Sequence, residues 1–169
     1  MDEIESWFHN YADDIFNYLS YYTGTRDVDD LVQDTFIKAI RFQHQFKGES
    51  SEKTWLISIA RRTALDHFKK QGKWLPWKDS LSQKNKLTSV SSEEVLLENE
   101  EKKELLDHIY QLPSKKQDVV LLRGIMECTS QETAQILGWR ENKVNVTLHR
   151  ALKDLKEAYS ISERSYYDV

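Results

Sequence analysis

Apolar residues recur at three- and four-residue spacing through most of the chain. Ile4, Trp7, Phe8, Tyr11, Ile15, Leu19 and Tyr22 form one stripe on a helix, so residues 3–22 are predicted helical, with Gly24 ending the run. Asp27 is the expected N-cap of a second helix, and Asp29 and Asp30 fall in its first turn, where carboxylates suit the helix dipole. The buried stripe of that helix is read as Val28, Leu31, Val32, Phe36, Ala39 and Ile40, continuing toward Phe46. A short break at residues 48–51 precedes a third helix over residues 52–71. Its Trp55, Leu56, Ile59, Ala60 and Phe68 point inward, while Arg62, Asp66 and Lys69 share another face. An Arg62–Asp66 pair on that face would contribute only about 0.3–0.5 kcal/mol.

Residues 72–92 are polar, rich in Ser and Lys and without sustained period, as expected of a linker. Trp74 and Trp77 interrupt it, either packing back on the preceding helices or meeting a partner. Helical spacing resumes over residues 93–111, stops at Pro113 and returns over 114–124. Thr129 and Glu132 then have capping-box spacing, and the helix they open carries Ala134, Ile136 and Leu137 and closes on Gly138. A last helix has Val144, Leu148, Ala151, Leu152 and Leu155 as its apolar stripe. Arg140 stands where a capping residue belongs, and Asn142 would cap a slightly later start. Two helices joined by a tight Gly-containing turn, the second one basic, make a helix-turn-helix pattern. The expected fold is all-α: two small helical domains joined by a flexible linker, at residues 1–71, 72–92 and 93–169, the C-terminal one a helix-turn-helix.

Composition narrows the function. The 169 residues include 2 prolines and 5 glycines, which favours helices over a turn-rich β fold. No apolar run reaches the ~20 residues that span a bilayer, and the acidic start is not that of a secretory signal. Cys128 is the single cysteine and cannot form an internal disulfide, so a reducing cytoplasm is expected. His9, His44, His67, His108 and His149 are scattered, with no metal-binding spacing and no phosphate-binding glycine loop. No enzyme activity, metal or cofactor is therefore expected. Net charge is −4, but the charges are segregated. Residues 1–34 hold nine acids and one base, residues 61–75 five bases and one acid, and residues 139–156 five bases and two acids. Each patch taken alone is also what a solvated helix face looks like.

A recognition helix buries one side and offers donors on the other. Lys143, Asn145, Val146, His149 and Arg150 lie away from the apolar stripe of the last helix. Lys and Arg can hold phosphates or a guanine edge, and Asn can read adenine.

Several segments, in order along nearly the whole chain, resemble the sigma-70 superfamily in its extracytoplasmic-function (ECF) group. Asp30-Leu31-Val32-Gln33-Asp34-Thr35-Phe36 is similar to that family's polymerase-binding helix. Lys53-Thr54-Trp55-Leu56-Ile57-Ser58-Ile59-Ala60-Arg61, then Ala64-Leu65-Asp66, resembles its helix for the −10 promoter element. Leu112-Pro113, Val120-Leu121-Leu122-Arg123, Glu132-Thr133-Ala134-Gln135-Ile136-Leu137-Gly138 and His149-Arg150-Ala151 resemble its −35-reading domain. The resemblance implies a bacterial transcription initiation factor with two partners, RNA polymerase core and promoter DNA. Core would dock on Asp30, Gln33, Asp34, Lys38 and Arg41. The −10 element would be held by Arg61, Arg62, Asp66, Lys69 and Lys70, and the −35 element by Lys143, Asn145, Val146, His149 and Arg150. The loop over residues 46–51 would cradle a base flipped from the non-template strand, with Phe46 or Trp55 as an aromatic surface; core packing is the other reading of both rings. An anti-sigma protein, often membrane-anchored, is a further implied partner, with no membrane insertion by this chain. Two departures bear on promoter sequence: Arg62 replaces a common Asn, and Lys143-Val144-Asn145-Val146-Thr147-Leu148 replaces a more basic run. Rival functions are a stand-alone helix-turn-helix regulator, an enzyme, and a helical adaptor that leaves the basic patches unexplained.

Overall fold

The computed structural model describes residues 3–72 and 100–167. Residues 73–92 of the linker, Trp74 and Trp77 among them, and the start of the helix expected over residues 93–111 lie outside the described residues. Among those described there are seven α-helices and no strand: α1 (Glu3–Thr23), α2 (Asp29–Phe42), α3 (Glu52–Lys70), α4 (Glu100–Gln111), α5 (Ser114–Val120), α6 (Ser130–Leu137) and α7 (Glu141–Tyr167). A 3₁₀ turn, Gln43–Gln45, follows α2, and a π-helical turn, Leu121–Ile125, follows α5.

The N-terminal half is a three-helix bundle in which α1, α2 and α3 pack pairwise. Trp7, Ile15, Tyr18, Leu19 and Tyr22 of α1 meet Leu31, Phe36 and Ala39 of α2 and Leu56, Ile57 and Ala60 of α3. Burying each large apolar side chain contributes roughly 1.5–3 kcal/mol, and this face sets the register of the bundle. Phe46 returns from the 3₁₀ turn to pack its ring 5.3 Å from both Trp7 and Trp55. Ser51 caps α3, its hydroxyl accepting from the Thr54 N–H at 3.1 Å.

The C-terminal half is built around α5. Val119 packs with Ala134 and Val144, tying α5 to α6 and α7. Val120 and Leu121 pack with Ile109, Ala151 and Leu155, tying it to α4 and the far part of α7. Thr129 Oγ1 accepts from the Glu132 N–H at 3.1 Å while Glu132 Oε2 accepts from the Thr129 N–H at 2.7 Å, so the capping box forms. Gly138 ends α6 at φ 67°, a left-handed conformation that glycine adopts without a Cβ penalty.

Several local expectations are corrected. Val28, not Asp27, precedes α2 as its N-cap, with no side-chain capping bond. Phe8, Ile40 and Leu152, each placed in a buried stripe, are about half exposed. The helix begun at Ser114 changes to π geometry at Leu121, because the N–H of Met126 donates to Leu121 O. Asn142 lies inside the first turn of α7, since the N–H groups of Lys143 and Val144 both donate to Arg140 O. Asp66 lies 3.8 Å from Lys38 of α2, which joins two helices where a pair within α3 was expected.

The halves do not stand apart. Leu122, Met126, Cys128 and Ile136 are buried in the same apolar cluster as Trp7, Ile15 and Leu56. Replacing Thr129 by Ala removes half of the capping box and is expected to destabilise the chain by about 1 kcal/mol. A urea titration followed by circular dichroism checks this; an unchanged midpoint would show that the box contributes nothing.

Candidate nucleic-acid and partner interfaces

On α2 the buried residues Leu31, Thr35, Phe36 and Ala39 leave the opposite side outward. Asp30, Gln33, Asp34, Ile37, Ile40 and Arg41 are all exposed there. At i, i+3, i+4, i+7, i+10 and i+11 they form one continuous face. Four of the five residues expected to dock on a partner are therefore together and accessible. Lys38 is not on that face. Its Nζ donates to Thr63 Oγ1 at 3.2 Å, so it braces α2 against α3. Sequence reasoning missed Ile37 and Ile40, which are 54% and 53% exposed. Their signal was present: α2 carries more apolar residues than one inward stripe can use. Exposed apolar side chains ringed by polar ones are typical of protein docking surfaces.

On α3, Arg62, Asp66, Lys69 and Lys70 are exposed and share one side. Arg61 points elsewhere. Its Nη2 donates to Asp118 Oδ2 of α5 at 3.1 Å, and the two side chains are 21% and 7% exposed. Burial pushes the Asp118 carboxyl above its ordinary value although Arg61 pulls the other way. Burial also opposes the Arg61 charge, but Asp118, then Tyr18 and Tyr22, outweigh it and raise the guanidinium. A pair with this much desolvation specifies which surfaces meet more than it adds net stability.

The loop before α3 borders a cleft of about 190 Å³. Glu49, Ser50, Trp55 and Ser58 line one side of it, and Gln135 and Ile136 of α6 line the other. Phe46 and Trp55 are half-buried and packed on Trp7, so both rings serve the core, and Trp55 also contributes to the cleft wall.

In the helix-turn-helix, Lys143, Asn145, Val146, His149 and Arg150 are all exposed on α7. The Lys143 ammonium sits 4.0 Å from the centre of the Trp139 ring, which orients it beside the turn. Ser130 Oγ donates to Asn145 Oδ1 at 2.6 Å, joining the start of α6 to α7.

Comparison with known proteins gives this geometry its context. The family model for sigma-70 region 2 matches residues 7–73, and that for sigma-70 region 4 matches residues 102–155. The RNA polymerase sigma factor YlaC of Bacillus subtilis is 36% identical over 158 residues, covering 92% of this chain and 91% of its own. The chain belongs to the sigma-70 family, in its ECF group. It is an RNA polymerase sigma factor: it binds the polymerase core and directs promoter recognition in transcription initiation. The ECF sigma factor SigX of the same organism is 32% identical over 166 residues, with 95% of this chain and 86% of SigX covered. The fold is shared with the sigma factor RpoE of Bartonella quintana, solved in complex with the anti-sigma factor NepR. That match has a TM-score of 0.70 at 19% identity and covers 95% of this chain and 99% of the other. Among the described residues, no helix is long and apolar enough to cross a membrane.

Within this sigma factor the seam between the region 2 and region 4 matches contains Cys128. Burial pushes its thiol up to about 11; Glu132 and Asp14 add to the rise, while Lys53 and Arg123 oppose it. At pH 8 the thiolate of a group near 11 is roughly a hundredfold scarcer than that of an ordinary cysteine. Iodoacetamide is therefore expected to modify native Cys128 at least that much more slowly than the urea-unfolded chain, as followed by mass spectrometry. Equal rates would mean that the seam does not cover it.

Proposed function

We propose that three separate helix faces divide the work of this sigma factor. The outward face of α2, with Asp30, Gln33, Asp34, Ile37, Ile40 and Arg41, docks on the polymerase core. Arg61, Arg62, Asp66, Lys69 and Lys70 of α3 hold the −10 element, with Lys38 bracing that helix from α2. Lys143, Asn145, Val146, His149 and Arg150 of α7 hold the −35 element. The modules carrying these faces are residues 1–71 and 93–169, with residues 72–92 as the tether between them. The observation that carries this reading is the segregation of exposed side chains. Acidic and apolar groups cluster on α2, while the cationic groups of α3 and α7 lie on surfaces of their own.

The chemistry of each face suits its assignment. The α2 face offers carboxylates around two exposed isoleucines, which fits a basic protein surface with an apolar centre. Arg62, Lys69 and Lys70 offer charge to phosphates, and attachment of that kind weakens steeply with salt. The early part of α7 is where a helix-turn-helix meets base edges. The factor acts in the cytoplasm and makes or breaks no covalent bond itself. It positions core at two promoter elements and holds the opened strand. An anti-sigma protein masking these faces is a further proposed partner, because relatives of this fold are solved in complex with such proteins.

Replacing Gln33 and Asp34 together by Ala is expected to abolish pull-down of polymerase core while circular dichroism is unchanged; undiminished pull-down would place the docking face elsewhere. Replacing Lys143 and Arg150 together by Ala is expected to reduce in vitro transcription from −35-dependent promoters more than core binding. The salt slope of promoter binding should also become shallower by about 1–2. Equal loss of both activities would point to misfolding and remove the support for this face.

A further inference from the structure

The start of α6 reaches across to the last helix at one point. Thr129 and Glu132 already satisfy the first turn of α6 through the capping box, so the neighbouring Ser130 hydroxyl has no capping task. It donates instead to Asn145 Oδ1 at 2.6 Å. Packing sets the register behind that contact. Val144 is fully buried and packs with Ala134 and Val119, which fixes the rotation of α7 against α6. Asn145, the next residue, is exposed, and among the described residues its Nδ2 meets no acceptor.

Lys143 is held differently. Its ammonium lies 4.0 Å from the centre of the Trp139 ring, a contact that restrains position without choosing between donors and acceptors. Ser130 does choose, because an amide has one accepting end and one donating end.

We propose that Ser130 is a specificity-determining positioning residue: by occupying Oδ1 it makes Asn145 a donor, and directs it to guanine rather than adenine in the −35 element. The proposal rests on the reading of α7 as the −35 helix. An unrestrained Asn pairs with adenine through both ends, its oxygen accepting from N6 and its nitrogen donating to N7. With the oxygen held by Ser130, the NH2 group leads into the groove. Guanine offers it two adjacent acceptors, N7 and O6. Adenine offers N7 with the N6 amino group beside it, a donor facing a donor. The two purines share N7 and differ at this one group, so the hydrogen bond from Ser130 acts on the discrimination between them. It also holds the Asn145 side chain in place before DNA arrives, so less side-chain freedom is lost on binding.

The test uses the full-length factor assembled with polymerase core. This holoenzyme selects from duplexes of a promoter that it transcribes, randomised across the −35 element, and bound and unbound fragments are sequenced. The wild type is expected to enrich guanine over adenine at one position. Asn145→Ala should flatten the preference at that position alone, which identifies it. Ser130→Ala should move the guanine-to-adenine ratio there about fivefold toward adenine, the weight of a single hydrogen bond. The other −35 positions should keep their preferences. Ser130→Thr retains the hydroxyl and should retain the wild-type ratio. In an Asn145→Ala background, Ser130→Ala should change nothing further. Circular dichroism and core pull-down of the Ser130 variants should match the wild type.

A Ser130→Ala factor that binds every sequence more weakly with its ratio unchanged would make Ser130 a structural or phosphate contact, and would overturn the proposal. A wild-type preference for adenine at the Asn145 position would do the same. Should Ser130→Ala disturb the fold, Ser130→Cys, similar in shape with a much weaker donor, carries the same expectation and the same refutation. The underlying assignment fails separately. If Asn145→Ala alters no −35 position, this side chain does not read the element at all. If it flattens one position while Ser130→Ala is silent, only the inference about Ser130 is lost.

Discussion

The arrangement of this molecule turns on one buried charge pair, Arg61 with Asp118. The two residues are 57 positions apart in the chain and come from its two halves. Burying an arginine is tolerable only where a carboxylate is waiting, and the position of Asp118 on α5 meets that condition. Once the pair is set, α5 must lie over α1 and α3, with Tyr18 and Tyr22 near the charges. The π-helical turn and α6 then bring Leu122, Met126 and Ile136 against the apolar surface around Trp7. The apolar contacts supply the attraction, which is non-directional. The pair supplies the register, because sliding the surfaces would leave a guanidinium and a carboxylate buried alone, at a cost of about 3–5 kcal/mol.

Much of this was legible in the sequence. Helical periodicity located α1, α2 and α3, and the Thr129–Glu132 spacing gave the start of α6 because a capping box is a local device. The exposed residues of α3 and α7 were equally readable, since charge on one side of an apolar stripe is a local pattern. What could not be read were the properties set by tertiary packing. Phe8, Ile40 and Leu152 fit the inward spacing of their helices, yet each keeps about half of its surface exposed. Nothing local distinguishes Arg61 from Arg62. Adjacent residues on a helix point about 100° apart, and only the arrival of α5 makes one a seam residue and the other a surface residue. Lys38 is the same kind of case: its spacing fits the α2 face, but Thr63 and Asp66 draw it toward α3.

The division between surfaces that stay open and surfaces that close follows from chemistry. The α2 face is acidic with an apolar centre and is uncovered in this arrangement. The outward residues of α7 are uncovered as well. Arg61 and the 46–51 loop, by contrast, meet Asp118 and Gln135 of the other half.

The seam also holds buried polar atoms without partners. Tyr18 Oη, Arg61 Nε and Asp118 Oδ1 each carry a desolvation cost where the halves meet. Three such groups, at roughly 1–3 kcal/mol each, are of the same order as the burial of two or three large apolar side chains. These costs offset part of the apolar burial that brings the halves together.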